Sequence, residues 1–295
     1  MIIPFIVLLF VPYKDKIIGC ISIIIVVKKY KFVERTMDGI KSKYRVLEAE
    51  EFNDISSRIL YEDNHYLIVN KRSGEIVQGD KTNDEPLSET LKCFIAQRDK
   101  KAGNVFMGVA HRLDRPVSGA VLFAKTSKGL ERINALIREG RLNKTYWALT
   151  QKPDYQITIG EQKELRDYMS RDEKANKSFI FKGKGVPPKE CKEAVLRYRV
   201  LKQTDNYLLT EVELLTGRHH QIRCQLSNVG MPIKGDLKYG ARRSNRDGSI
   251  SLHARKIEFV HPIGVRDAKG NPTENQKIIC VEAPLMGEMQ HIVND

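Results

Sequence analysis

Apolar residues come first in blocks and only later in alternation. Residues 1–12 and 17–27 are almost wholly apolar, divided by Tyr13-Lys14-Asp15-Lys16. Neither run reaches the roughly 18–20 apolar residues that span a bilayer. No charged side chain precedes the first run and no Ala-x-Ala cleavage site follows, unlike a secretory signal. A membrane anchor is a second reading. The segment is rich in Ile, Lys, Tyr and Phe, as translated AT-rich non-coding DNA would be. We therefore expect residues 1–36 to be an apolar extension outside the native protein, with Met37 as the true start. A lead-in at 37–56 and a single domain at 57–295 follow.

Beyond residue 57 the pattern breaks into short elements. Residues 58–61 and 66–70 read as strands around the polar turn Glu62-Asp63-Asn64. Leu87, Leu91, Phe94 and Ile95 recur as one face of a helix, with Pro86 near its first turn. The run Gly119-Ala120-Val121-Leu122-Phe123-Ala124 predicts a buried strand. Thr126 or Ser127 then caps a helix bearing Leu130, Ile133, Leu136 and Ile137, and Gly140 stops it. Further strands are predicted at 145–150, 196–201, 207–215, 251–259 and 277–283, with a turn and helix at 216–229. Residues 151–190 are polar and read as an irregular excursion with room for one short hairpin. Two to three helices among about eight strands predict an α+β fold.

Composition narrows the class. The 295 residues are 41% hydrophobic and 29% charged, enough for one sizeable core and unlike a disordered or fibrous chain. A formal charge of +13 favours polyanionic partners, because each neutralised phosphate releases a condensed counterion. A merely soluble basic protein is the plainer account. Residues 1–36 hold six Lys/Arg and two Asp/Glu, so the surplus stays positive without them. Cys20, Cys93, Cys191, Cys224 and Cys280 are scattered, odd in number and without Cys-x-x-Cys spacing. That usage predicts buried structural thiols in a reducing cytoplasm.

Three segments carry candidate chemistry. The first is His111-Arg112-Leu113-Asp114-Arg115-Pro116-Val117-Ser118-Gly119, ahead of the apolar strand. Flanking arginines favour the Asp114 carboxylate, which at a strand entrance can be nucleophile, base or metal ligand. Paired with Arg112 or Arg115 it would be only a surface ion pair. The second is Leu214-Leu215-Thr216-Gly217-Arg218-His219-His220-Gln221-Ile222-Arg223. His219 and His220 lie four and three positions before Arg223, a spacing that can share a helix face. Helix starts also favour anions. A capped amphipathic helix with charged flanks would look the same. No His-Glu-x-x-His or Cys partner supports a metal. The third is Lys144-Thr145-Tyr146-Trp147-Ala148-Leu149, a strand with Tyr146 and Ala148 on one side. Alone, Tyr146 would be a core or edge residue.

Together these segments resemble the RluA family of RNA pseudouridine synthases. His111-Arg112-Leu113-Asp114 with Ser118-Gly119 is similar to its catalytic motif, and Lys144-x-Tyr146-x-Ala148 to its tyrosine motif. Thr216-Gly217-Arg218-x-His220-Gln221-Ile222-Arg223 is similar to its arginine motif. Gly235-Asp236-x-x-Tyr239-Gly240, Leu252-His253-Ala254 and Phe259-x-His261-Pro262 follow in the family's order. The resemblance covers roughly residues 57–285. It implies a mixed, largely antiparallel central sheet flanked by helices and loops. It implies Asp114 as nucleophile, Arg223 as its salt-bridge partner, and Tyr146 against the uracil ring and assisting the late proton step. Arg112 would displace the target base and Leu252 would line the pocket. His111, Arg218, His220 and Gln221 would complete the substrate-binding set.

The implied reaction breaks the N-glycosidic bond of uridine and rejoins the ring through carbon. A covalent carboxylate adduct divides that into two easier steps, and the base must first leave its stack. No redox or phosphoryl step occurs, so no cofactor or metal is expected. The implied partner is structured RNA, ribosomal or transfer, met by a cytoplasmic monomer. Arg72 stands where the family usually has Pro, and Val117 where Thr is common; both departures fall outside the expected chemistry. Residues 37–56 are too short for an S4-type RNA-binding module. Grip on RNA would then come from Lys182, Lys184 and Lys189, and from Arg242, Arg243 and Arg246, unless these are solvated loops. Two rivals remain. A catalytically silent RNA-binding protein could share the fold, and a glycosidase would want a second carboxylate. A kinase is excluded: no Asp-Phe-Gly follows the His-Arg-Leu-Asp run.

Overall fold

A computed structural model describes residues 36–37, 40–41, 43–80, 82–264 and 277–294. The extension expected at 1–36, Cys20 included, lies outside them but for Thr36. Strands β1 (Thr36–Met37) and β2 (Ile40–Lys41) pair only with each other. Then come α1 (Ala49–Ser57), β3 (Ile59–Glu62), β4 (Tyr66–Lys71), α2 (Leu87–Arg98), β5 (Gly108–Val109), β6 (Ser118–Ala124), α3 (Ser127–Arg138) and β7 (Leu142–Thr150). The second half holds β8 (Gln162–Asp172), β9 (Lys177–Ile180), β10 (Lys192–Gln203), β11 (Leu208–Leu214), α4 (Gln221–Asn228), β12 (Leu252–Val260), β13 (Ile278–Glu282) and α5 (Gly287–Asn294).

Eleven strands form one sheet in the order β3-β4-β6-β12-β7-β11-β10-β8-β9, with β5 on β6 and β13 on β12. Every pairing is antiparallel except β6 with β12. The expected mixed, largely antiparallel sheet of an α+β fold is what the chain forms. Strand β4 is buried at all six positions, and β6 at six of seven, because helices cover both faces there. Leu67, Val69, Val121 and Phe123 face α2 through Leu91 and Phe94. Tyr66, Ile68 and Leu122 face α3 through Ile133 and Leu136. Thr126 caps α3, its hydroxyl accepting the Gly129 amide at 3.0 Å. Gly140, at φ +67, follows its end.

The structure departs from the sequence reading in three places. Residues 151–190 are less irregular than expected: β8 runs eleven residues beside β10, and β9 turns back on it. Strand β8 has few apolar positions, so pairing rather than its own period makes it a strand. Cross-strand ion pairs line it, Arg166 with Glu193 at 2.8 Å and Arg197 with Glu164 at 3.2 Å. Among the described residues five helices form rather than two or three. Helix α1 is held by few apolar contacts, chiefly Ile55 in the core and Phe52 on Phe94 at 4.7 Å. Helix α5 packs through Met289 against Leu149 and Leu209. The thiols are also not uniformly buried, for Cys280 is exposed. Among the described residues no helix is long and apolar enough to cross a membrane.

Candidate active site

The loop at 110–117 joins β5 to β6, and its backbone is pinned from several sides. The Val117 amide donates to Asp114 O at 3.0 Å, Gly74 to Arg115 O at 2.8 Å, and Ile250 to Pro116 O at 3.2 Å. The fully buried Lys71 ammonium donates to Arg72 O at 2.8 Å and Arg115 O at 3.2 Å. Burial lowers that ammonium to about 8. The loop ends on Gly119, at φ +113, in the parallel pairing with Ala254. A Cβ there would sit 2.4 Å from Ala254 N and O, so only glycine lets the two strands meet.

A cavity of about 660 Å³ opens beside this loop. Asp114, Val117, Tyr146, Leu252 and Arg223 line it, so Val117 lies nearer the site than its sequence position suggested. The local ion-pair reading of Asp114 fails. Arg115 pairs instead with Asp84 at 2.7 Å, and Arg112 lines the cavity without an ion pair among the described residues. The partner of Asp114 comes from 109 residues away: Arg223 Nη1 donates to Asp114 Oδ2 at 2.9 Å. No described residue bonds to Oδ1. Arg223 is itself fixed from behind. Its Nε and Nη2 donate to the two oxygens of buried Asp236, at 2.6 and 2.8 Å. Burial alone would lower the guanidinium; the hydrogen bonds and charge of Asp236, with the charge of Asp114, raise it instead. Arg223 is therefore a fixed cation, aimed by one carboxylate at another.

Tyr146 stands on β7 with Ala148, both buried on the cavity side as the alternation predicted. Its hydroxyl bonds to no described residue. Burial, then the charge of Asp114, pushes the phenol above its ordinary range, so it stays protonated at neutral pH. His219 and His220 do not share a helix face with Arg223, because α4 begins at Gln221. His220 caps it in the left-handed region at φ +51, its Nε2 3.4 Å from Asp114 Oδ2. His219 stacks on it at 3.7 Å. Gln221 also lines the cavity, but its amide is spent on the turn: Oε1 accepts from Thr216 and the Arg218 amide, and Nε2 donates to Val195 O and Gln225. His111 Nε2 accepts the Leu122 amide at 3.2 Å, and burial, then the Lys144 charge, lowers the ring to about 3. Arg218 donates to Glu193 O at 2.8 Å and keeps an exposed position on the wall.

A family model described as RNA pseudouridylate synthase matches residues 65–228, a span that includes Asp114, Tyr146 and Arg223. The chain belongs to this family. It is an RNA pseudouridine synthase, an isomerase acting on uridine in RNA. A ribosomal large subunit pseudouridine synthase C from Buchnera aphidicola is 30% identical over 237 residues, 78% of this chain and 67% of that one. A tRNA pseudouridine synthase C from Salmonella typhimurium is 31% identical over 220 residues, 69% of this chain and 80% of that one. In fold, the synthase resembles human RNA pseudouridylate synthase domain containing 4, at TM-score 0.64 and 21% identity, covering 82% and 94% of the two chains.

Asp114, Tyr146, Arg223, Arg112, His111, Arg218, His220, Gln221 and Leu252 therefore all line one cavity of this synthase. Lys182, Lys184, Arg242 and Arg243 are exposed and line neither that cavity nor a second one near α5. Sequence reasoning missed the part of Asp236, although the Gly235-Asp236 motif marked its position. It also missed Arg138 and Arg171, which line the cavity from α3 and β8. Neither stands in a motif; only their positions after folding distinguish them.

Proposed function

We propose that this synthase isomerises uridines in a structured ribosomal or transfer RNA, with Asp114 as the nucleophile. One observation carries the assignment. Asp114 Oδ2 is held by a buried arginine, while Oδ1 is unbonded among the described residues beside the Tyr146 and Leu252 walls. A carboxylate so held stays ionised and aimed, as nucleophilic attack on C1′ requires. Oδ1 bonds to C1′ as the C1′–N1 bond breaks, its electron pair passing to the uracil. The freed ring turns within the cavity. C5 then bonds to C1′ as the C1′–O bond breaks, C5 gives up its proton and N1 gains one, so nothing is oxidised or reduced. Tyr146, protonated at the ring's edge, is suited to a proton step or to stacking.

Unpaired cations around the mouth suit RNA. Arg112, Arg138, Lys144 and Arg171 reach no carboxylate among the described residues, so phosphates need displace none. Lys182, Lys184, Arg242 and Arg243 would make outlying contacts. The enzyme works as a monomer in the cytoplasm, in keeping with four unpaired thiols among the described residues. Both relatives' substrate classes, ribosomal and transfer RNA, stay open to it. Pseudouridine mapping of total RNA by carbodiimide adduct, with and without the gene, tests this reading. One signal should vanish and return with wild type but not with Asp114→Asn. Restoration by Asp114→Asn would remove Asp114 as nucleophile, and no lost signal at all would favour a silent RNA-binding protein.

A further inference from the structure

A residue that no comparison and no motif role assigns stands behind the nucleophile. Tyr239 lies on the 3-10 turn Leu237–Tyr239 and is buried. Its hydroxyl has two neighbours. It accepts the backbone amide of Ser178, on β9, at 2.8 Å, and lies 3.0 Å from His220 Nδ1. Its proton has no other acceptor among the described residues. Were Nδ1 to carry hydrogen, two donors would face each other and the phenol proton would be buried without a partner. The Tyr239 proton therefore goes to Nδ1. His220 is neutral, since burial, Arg223, His219 and Lys238 outweigh Asp114 and lower the ring to about 3. Its one remaining hydrogen is on Nε2, the nitrogen 3.4 Å from Asp114 Oδ2.

Two further observations bear on the same ring. His220 occupies a left-handed backbone position, which costs a non-glycine residue strain and persists where its surroundings hold it. Ser178 also fixes His219. The Ser178 hydroxyl donates to His219 O at 2.7 Å, so at 2.9 Å from His219 Nδ1 it must accept. Both stacked imidazoles are thus set by one serine, one through its side chain and one through its amide and Tyr239. The 3.4 Å gap is longer than an ordinary hydrogen bond, and such contacts tighten when substrate arrives.

We propose that Tyr239 is a positioning residue for the nucleophile: its hydroxyl, anchored by the Ser178 amide, holds His220 in the tautomer that presents Nε2–H to Oδ2 of Asp114. The donor then sits beside Arg223 on the oxygen that does not attack, and orients Oδ1 towards C1′. The inference rests on Asp114 as nucleophile for its kinetic consequence, but the tautomer itself does not.

The test reads both. Long-range proton–nitrogen correlation spectra of the 15N-histidine-labelled full chain, without RNA, should show His220 as the Nε2–H form, and Tyr239→Phe should move it towards a mixture. An Nδ1–H ring in the wild type would overturn the proposal whatever the enzyme's activity. Single-turnover pseudouridylation of total RNA from cells lacking the gene supplies the second reading. Tyr239→Phe should slow the step by about tenfold to a hundredfold, the usual cost of a misplaced reacting group, with half-saturation unchanged. The same substitution in a His220→Ala background should add nothing, because its target is gone. Equal slowing in both backgrounds would give Tyr239 a different role and sink the relay. A wild-type enzyme inert on all RNA would defeat the functional reading, leaving the spectra to decide the tautomer.

Discussion

The cavity wall and the outer face of the β8–β10–β11 strands are both rich in arginine, and they treat it in opposite ways. On the outer face, Arg166 meets Glu164 and Glu193, Arg197 meets Glu164, and Arg199 meets Glu211 at 2.7 Å. On the wall, Arg112, Arg138, Lys144 and Arg171 meet no carboxylate among the described residues, and Arg218 meets a backbone carbonyl. The wall's acids are already engaged: Asp114 with Arg223, and Glu213 with Arg197 at 3.8 Å. Charge is neutralised on the outer face and left without carboxylate partners on the wall. Net charge alone could not show this, because it counts both regions alike.

The largest expected effect lies where the two patterns meet, at the buried pair behind the wall. Asp236→Ala should leave Nε and Nη2 of buried Arg223 without their acceptors and Asp114 as its one carboxylate among the described residues, costing about 3–5 kcal/mol of stability and misdirecting Asp114. Denaturant unfolding and single-turnover rates check both, and a fully active, fully stable variant would take Asp236 out of the site. Next come the open cations. Arg138→Ala and Arg171→Ala should each weaken RNA binding several-fold and flatten its salt dependence by about one unit of slope, with the bound rate kept. Unchanged slopes would reduce the contrast between wall and outer face to coincidence. Arg242→Ala with Arg243→Ala should weaken binding less than either, since both lie outside the cavity. The smallest effect belongs to the outer face: Arg166→Ala should leave melting temperature, binding and rate unchanged within error, as exposed ion pairs contribute little. A loss of RNA binding there would mean that the polyanion also touches the paired face.

Much of the candidate site could be read before folding, because each step of the proposed chemistry demands a residue type. A carboxylate, an arginine and a tyrosine stood in three ordered motifs, and the sheet came from plain periodicities such as β6 and α3. What could not be read was contact. Nothing near Asp114 distinguishes Arg223 from the closer Arg112 and Arg115; spatial proximity does, and the resemblance supplied it. Asp236 and Tyr239 were visible as a motif without a task, since their task is to hold other side chains. Strand β8 was hidden because its neighbour, not its own apolar pattern, makes it a strand. His220 was misplaced on a helix face because its left-handed backbone angle is invisible to spacing.

The order of the strands has a consequence for how this enzyme is made on the ribosome. Strand β12, at Leu252–Val260, lies between β6 and β7, so the middle of the sheet is among the last parts to be synthesised. Until it emerges, β7 is a bare edge, and β6, whose far end already pairs with β5, lacks its partner at Ser118 and Gly119; an open edge of this kind pairs with other chains. Leu252, which lines the candidate cavity, arrives with the same strand. A nascent chain therefore completes this cavity and covers the β7 edge in one event, and a chain stopped between β11 and residue 252 should expose that edge and aggregate rather than act as a weak enzyme.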